Sequence, residues 1–387
     1  MTDVVIAGIG QTEVGEHWDV SLRELGVDAI QAAVRDSGGL IPQVLFVGNM
    51  LAPNLSRQAH MGALLADYAG YSGIEAVTVE AAGASGGAAL RQGYLAIASG
   101  MADVALVLGV EKFTDKIGLD VDEALATAFD SDYEAVQGLT FSAQAALMMK
   151  RYMHEFNVPA DGLAGFPLVA HANGAGNKYA MFQKAIKPET YARAEMVSEP
   201  LNMFDVAPNA DGAAALVLTR RELLPRGEFS HPLVKIAASV SSSDALALHD
   251  RPEPLTFTAA KISVGQALQK AGISLEAIDF FELHDAFSIY AALSLEAAGF
   301  AAPGQGWKLA SDGSIALKGR IPTATLGGLK ARGNPGGATG VYQAVEAALQ
   351  LRGCAGPNQL NGVMFGMIQS LGGPASTAVT HILQRPD

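Results

Sequence analysis

The chain reads as one unit written twice. In the first half a β-branched run, VVIAGIG (residues 4–10), closes on glycine and leads into SLRELGVDAIQAAVRDSGG. That segment predicts a helix, with Ser21 and Glu24 in capping-box spacing and Leu22, Leu25, Ala29, Ile30 and Ala33 on one face. LFVGNM and AVTVE follow as short strands, GGAALRQGYLAIASG as a helix and DVALVLGV as a buried strand. The second half repeats the order. LVKIAAS answers the opening strand, TFTAAKISVGQALQKAGI the capped helix, and AIDFFELHDAF answers QVLFVGNML. GNPGGATGVYQAVEAALQLRG answers GASGGAALRQGYLAIASG, and GVMFGMI answers DVALVLGV. A duplicated five-strand α/β unit accounts for this, with parallel strands and helices on both faces.

Between the halves, residues 115–210 break the pattern and read as an insertion. The boundaries are therefore 1–114 for the first half, with its last strand returning at about 211–222, and 223–387 for the second. Within the insertion, SAQAALMMKRYMHEFNV is an amphipathic helix with Ala145, Met149, Tyr152, Met153 and Phe156 along one side. The plain reading of that stripe is core; the alternative is a plastic wall for a bulky apolar ligand.

Composition removes whole classes of function. Against 39 acidic residues stand 26 basic ones, a formal charge of −13, where nucleic-acid binding calls for a basic stripe. One cysteine in 387 residues excludes a disulfide framework and a cysteine-based zinc cluster. No two-His or Cys/His set has metal spacing, and no apolar run approaches the ~18 residues of a membrane span. The opening MTDVVIAGIG has no basic n-region, so no signal peptide and a cytoplasmic location are expected. GIGQTEVG imitates a dinucleotide fingerprint, but its helix starts late and no acidic residue ends the next strand.

The chemistry must lie in loops that the duplication brings together: residues 79–90, 282–290, 327–342 and 368–376. Glycines at strand-to-helix turns allow close backbone approach and leave N–H groups free for an oxyanion; the alternative for any one loop is tight packing. These segments resemble the thiolase superfamily, in its archaeal and sterol-carrier-type branches. The likeness is carried by VEAAGASGGAALRQGYLAIASGMADVALVLGVEK, HDAF, DGAAALVL and GGLKARGNPGGATG. It covers nearly the whole chain and implies two βαβαβαββ halves in a five-layer αβαβα arrangement with an inserted loop domain. It also implies a homodimer and coenzyme A thioester substrates, with no separate cofactor.

The catalytic positions depart from that family. Gly83 stands where thiolases carry the nucleophilic cysteine, Asn334 where they carry the activating histidine, and Ser370 where they carry a second cysteine. Without a side chain at residue 83 no acyl-enzyme forms there. His284-Asp285-Ala286-Phe287 keeps the sterol-carrier version of its motif, and Cys354 matches no catalytic position. The cysteine-free combination resembles the steroid side-chain-cleaving aldolases of the superfamily. That likeness implies retro-aldol cleavage of a β-hydroxyacyl-CoA; for a 17-hydroxysteroid, the products are a 17-ketosteroid and propionyl-CoA.

Such a reaction needs a base for the β-hydroxyl, a stabiliser for the thioester enolate and a proton donor for its α-carbon. Tyr290 and Tyr342 are the expected proton-transfer groups, Tyr342 the first candidate for base with its ring in the space vacated at Gly83. A base role requires a phenol pKa well below its ordinary value near 10, or concerted transfer into His284. His284 is the expected donor to the thioester oxygen, with Asn334, Gly83 and Gly372 as oxyanion and turn support. For either tyrosine the alternative is a core ring with a satisfied hydroxyl. Asp285 is expected to fix its loop through backbone hydrogen bonds and Ser85 to cap a helix. HANGAGNKYAMF and ALALHDR match family segments near the site mouth.

The aldolase likeness further implies a small OB-fold and zinc-ribbon partner, with any zinc on that partner. The rival reading is a catalytically silent thiolase-fold subunit that binds acyl-CoA or scaffolds a complex.

Overall fold

The computed structural model describes residues 3–224 and 231–385. Its strands are β1 (Val4–Gln11), β2 (Val44–Gly48), β3 (Glu75–Val79), β4 (Val104–Glu111), β5 (Met196–Ser198) and β6 (Leu201–Asn202). They continue with β7 (Gly212–Arg220), β8 (Val234–Ser243), β9 (Phe280–Glu282), β10 (Phe365–Gly372) and β11 (Thr377–Gln384). Among the described residues the large sheet runs β3-β2-β4-β7-β1-β8-β11-β10-β9.

That order is symmetric about the β1–β8 junction. Reading outward from it, β1, β7, β4, β2 and β3 are answered by β8, β11, β10 and β9, with Thr323 bridging Phe281 in the fifth place. The duplication seen in the sequence is thus a pseudo-twofold. The two halves join edge to edge through Val5 opposite Lys235 and Ile6 opposite Val234.

The sheet is mixed rather than parallel throughout. β2 pairs in parallel with β3 and β4, and β9 with β10, whereas β7 and β11 run antiparallel to their neighbours. Only residues 373–376 separate β10 from β11, too few for the crossover that a parallel pair needs. β7 enters from the insertion and lies between β4 and β1.

Local sequence explains the elements that hold the sheet. The helix Leu22–Asp36 opens on Ser21, whose Oγ accepts from Glu24 N at 3.3 Å while Glu24 Oε2 accepts from Ser21 N at 2.8 Å. Its Leu22, Leu25, Ala29, Ile30 and Ala33 are all buried. Two helices, Ser85–Ala98 and Thr339–Arg352, cross backbone to backbone at the centre. A Cβ on Gly86 would stand 2.8 Å from Gly337 O and 2.9 Å from Val341 N, so only glycine permits this approach.

In the insertion, the helix Phe141–Phe156 buries Ala145, Met149 and Tyr152, with Met153 and Phe156 packed against the same core. The stripe read from the sequence is core. Its neighbours Leu147 and Met148 line a separate groove.

Candidate active site

The crossing of the helices Ser85–Ala98 and Thr339–Arg352 brings the glycine-rich loops to one cavity of about 90 Å³. Gly83, His284, Asn334, Asn209, Asp122 and Ser142 line it with Phe113, Phe141, Phe287 and Leu371. Gly83 sits in a short turn ahead of the helix Ser85–Ala98, following Ala82, whose φ of 48° lies in the left-handed region that alanine seldom adopts. A Cβ on Gly83 would stand 3.2 Å from His284 Cε1, 3.4 Å from its Nε2 and 2.7 Å from Leu371 O. The imidazole therefore faces the point where a side chain at residue 83 would begin.

His284 follows β9 and is 4% exposed; its Nδ1 has no hydrogen-bond partner. Burial, and secondarily the positive charge of Arg332, pushes its pKa down to about 3. At neutral pH it is an uncharged imidazole that can donate one N–H without becoming a cation. Asp285 fixes the loop as expected, accepting from Leu329 N at 2.7 Å and Lys330 N at 3.4 Å.

Asn334 is held by its backbone, N–H to Pro208 O at 2.9 Å and C=O from Ala210 N at 3.2 Å. Its Oδ1 accepts from Thr339 Oγ1 at 2.9 Å, which leaves the Nδ2 hydrogens as its free face. Where thiolases carry a proton acceptor, this residue offers donors.

Two buried carboxylates organise the walls. Glu111 accepts from Met50 N at 2.8 Å, Leu51 N at 3.1 Å, Asn49 Nδ2 at 2.8 Å and Gly337 N at 3.0 Å, stitching one half of the chain to the other. Burial outweighs these bonds and pushes its pKa up to about 7. Asp211 accepts from Phe113 N at 2.7 Å, Thr114 N at 3.0 Å, Thr114 Oγ1 at 2.6 Å and His17 N at 2.9 Å, and so fixes the Phe113 wall.

The two tyrosines stand behind the cavity rather than on its lining. Tyr342 is fully buried, its hydroxyl 3.1 Å from both Thr12 Oγ1 and Thr12 O, its ring 4.9 Å from the Arg332 guanidinium carbon. It does not occupy the space at Gly83, because that space is bounded by Leu371 O and His284. Tyr290 is equally buried, its ring 5.1 Å from that of Phe287 and its hydroxyl without a partner. Burial raises the pKa of both phenols above the ordinary tyrosine range, the direction opposite to that required of a base.

The remaining expected residues are second to the cavity. Gly372 packs under the carbonyl of Ala81, with no room for a side chain. Ser370 Oγ donates to Gln343 Oε1 at 2.9 Å. Ser85 Oγ accepts from Ala81 N at 2.9 Å and donates to Ala82 O at 2.6 Å, tying the Gly83 turn rather than capping the helix. Cys354 is exposed, beside a different groove.

Sequence reasoning missed Asp122 and Asn209. Asn209 stands just ahead of the DGAAALVL motif, which was a usable signal; Asp122 lies on the short helix Leu119–Ala126 in no motif at all. Among the residues lining the cavity, Asp122 and His284 are the ionisable ones.

The thiolase N-terminal domain family matches residues 4–222, and the thiolase C-terminal domain-like family residues 240–385. An acetyl-CoA acetyltransferase of Methanothermobacter thermautotrophicus is 40% identical over 387 residues, the full length of both chains. The benzoylsuccinyl-CoA thiolase subunit BbsB of Thauera aromatica is 31% identical, covering 90% of this chain and 89% of its own. Among solved structures, the Ltp2-ChsH2(DUF35) aldolase superposes with a TM-score of 0.84 at 23% identity, covering 99% of this chain and 98% of its own.

Proposed function

Since this chain belongs to the thiolase superfamily yet has glycine at its centre, we propose that it is a carbon–carbon lyase that cleaves a β-hydroxyacyl-CoA by retro-aldol reaction. The observation that carries the reading is the pair Gly83 and His284. The cavity holds a neutral imidazole and no nucleophile at residue 83. A covalent acyl intermediate is not available at that position, and a retro-aldol cleavage needs none.

The step balances within the substrate and three side chains. The Asp122 carboxylate at the cavity mouth takes the β-hydroxyl proton as the Cα–Cβ bond breaks. The β-carbon becomes the ketone carbonyl, and the bonding electron pair moves into the thioester as an enolate. His284 Nε2–H and Asn334 Nδ2–H hold the enolate oxygen; the proton held by Asp122 then passes to Cα and restores the thioester. In this reading Tyr290 supports the wall through Phe287, and Tyr342 packs against Arg332 behind it.

A 17-hydroxysteroid thioester with a 22-carbon skeleton, giving a 17-ketosteroid and propionyl-CoA, is the proposed substrate. The name of the Ltp2-ChsH2(DUF35) structure supports both the aldolase class and a small partner protein. A groove of about 780 Å³ meets the cavity at Val206 and Ala207 and bears Lys184 and Lys330, a fit for the coenzyme half. A homodimer is supported by β3, an edge strand whose Val77 is 42% exposed.

One observation favours the rival, a silent acyl-CoA-binding subunit: neither tyrosine hydroxyl reaches the cavity. Incubation with the steroid thioester, with and without a candidate partner, separates the readings. The lyase releases ketone and propionyl-CoA in equal amounts; a silent subunit binds the thioester and returns it intact.

A further inference from the structure

Behind the cavity wall lies a charged cluster that takes no part in the proton transfers. Arg332 is fully buried and stands two residues ahead of Asn334, which lines the cavity. Its Nε, Nη1 and Nη2 make no hydrogen bond. It pairs with Glu346, Nη1 lying 3.5 Å from Oε2, beyond ordinary hydrogen-bond length. Both Glu346 oxygens also lack hydrogen bonds. A buried guanidinium left in this state is unfavourable for stability, so packing alone does not account for it.

The loop that bears Arg332 is clasped to the segment that bears His284. Asp285 accepts from Leu329 N at 2.7 Å and from Lys330 N at 3.4 Å, and a Cβ on Gly328 would stand 2.4 Å from Asp285 Oδ2. Four titratable groups act on the guanidinium or are acted on by it: Glu282 on β9, Asp285 after it, and Tyr342 and Glu346 on the helix Thr339–Arg352. The Asp285 carboxylate is already engaged by two backbone N–H groups and by the charge of Lys330. Burial pushes the pKa of both Glu282 and Glu346 up, and the charge of Glu346 pushes Glu282 further, so this pair retains a proton at neutral pH. Arg332 thus meets one ionised glutamate at most, and its field extends to His284.

We propose that Arg332 is a positioning residue for the lyase: acting through the His284 donor, its charge stabilises the thioester enolate that forms in the cavity. The inference rests on the lyase reading. The thioester is neutral before the Cα–Cβ bond breaks and anionic after it, so a fixed cation behind the wall favours the second state over the first. Glu346 opposes this effect to the extent that it is ionised.

The test is the enolate content of acetoacetyl-CoA bound to the full chain. Its acidic α-carbon lets the enolate be read from its near-ultraviolet band without turnover. Butyryl-CoA is the neutral control, its affinity measured by isothermal titration calorimetry. Arg332→Met should lower the ratio of enolate to keto ligand about tenfold, the effect of one charge roughly 8–10 Å away at an effective dielectric constant of about 20. Arg332→Lys, which keeps the charge, should stay within about threefold of the wild type. Glu346→Gln, which keeps the shape and removes the opposing charge, should raise the ratio about threefold. Butyryl-CoA affinity should be the same in all four proteins.

The opposite signs are the decisive result, because damage to packing would lower the ratio in both variants. An undetectable enolate in the wild type, an unchanged ratio in Arg332→Met, or a fall in Glu346→Gln would overturn the proposal. Should Arg332→Met not fold, the sign in Glu346→Gln decides. Opposite shifts without any cleavage of the steroid thioester would support the role of Arg332 in enolate stabilisation and remove the lyase reading. Cleavage with an enolate ratio indifferent to both variants would do the reverse.

Discussion

The Nε2 atom of His284 stands 3.4 Å from the position of a Cβ on Gly83. In a cysteine enzyme this is the neighbourhood of a nucleophile; here Leu371 O closes the same position from the other side, at 2.7 Å. A side chain can enter only if backbone moves. The glycine is therefore built into the packing of the cavity.

Restoring the sulfur should fail. Gly83→Cys is expected to form no acyl-enzyme with acetyl-CoA and to lose about 1–3 kcal/mol of stability through overpacking. Intact-mass spectrometry after incubation reads the first outcome and chemical denaturation the second. An adduct on residue 83 would show that the old acyl-transfer geometry survives.

His284 should remain uncharged across the working range. Its pKa near 3 lies below the ordinary 6.5, so between these values the unfolded chain binds a proton that the native chain refuses. Its contribution to stability is complete above pH 6.5 and is lost as the pH falls toward 3. The stability gap between the wild type and His284→Gln should be flat above pH 6.5 and shrink on acidification, by at most about 1.4 kcal/mol per pH unit. Imidazole ¹⁵N shifts that titrate near 6.5 would contradict the assignment.

Asp122 should matter to chemistry more than to binding. Asp122→Asn is expected to lower kcat about 10²–10⁴-fold, the range for loss of a general base, with KM little changed. His284→Gln, which removes an oxyanion donor, should cost about 10²–10³ in kcat. Unaltered turnover in Asp122→Asn would move the base elsewhere.

The tyrosines give the opposite test. With their hydroxyls outside the cavity, Tyr290→Phe and Tyr342→Phe should each keep turnover within about tenfold of the wild type. Tyr342→Phe should also lose about 1 kcal/mol of stability with its bonds to Thr12. A loss of turnover beyond about 100-fold in either variant would return the proton transfers to the phenols.

Asp211 is the structural control. Removing its carboxylate leaves the buried Lys112, 3.4 Å away, with Asp115 at 3.6 Å as its remaining counter-charge, and unpairs four other donors. Asp211→Ala should cost about 3–5 kcal/mol, measurable as a shift of the urea midpoint.

The duplicated order of strands and helices, the capped first helix and the glycine crossings were legible because they depend on periodicity, caps and backbone sterics, all local properties. Gly83, Asn334 and His284 were legible for a different reason: each stands at a fixed place in a long motif, and the fold brings those motifs to one cavity. What residues lying far apart do to one another was not in the sequence. The antiparallel return of β7 follows from where the insertion delivers it, and the position of Asp122 from how a motif-free helix packs. Tyr342 sits only eight residues from Asn334, yet its hydroxyl is bonded to Thr12, 330 residues away in the chain. Side-chain direction at a helix start is set by packing against the opposite half, and only the tertiary structure decides it.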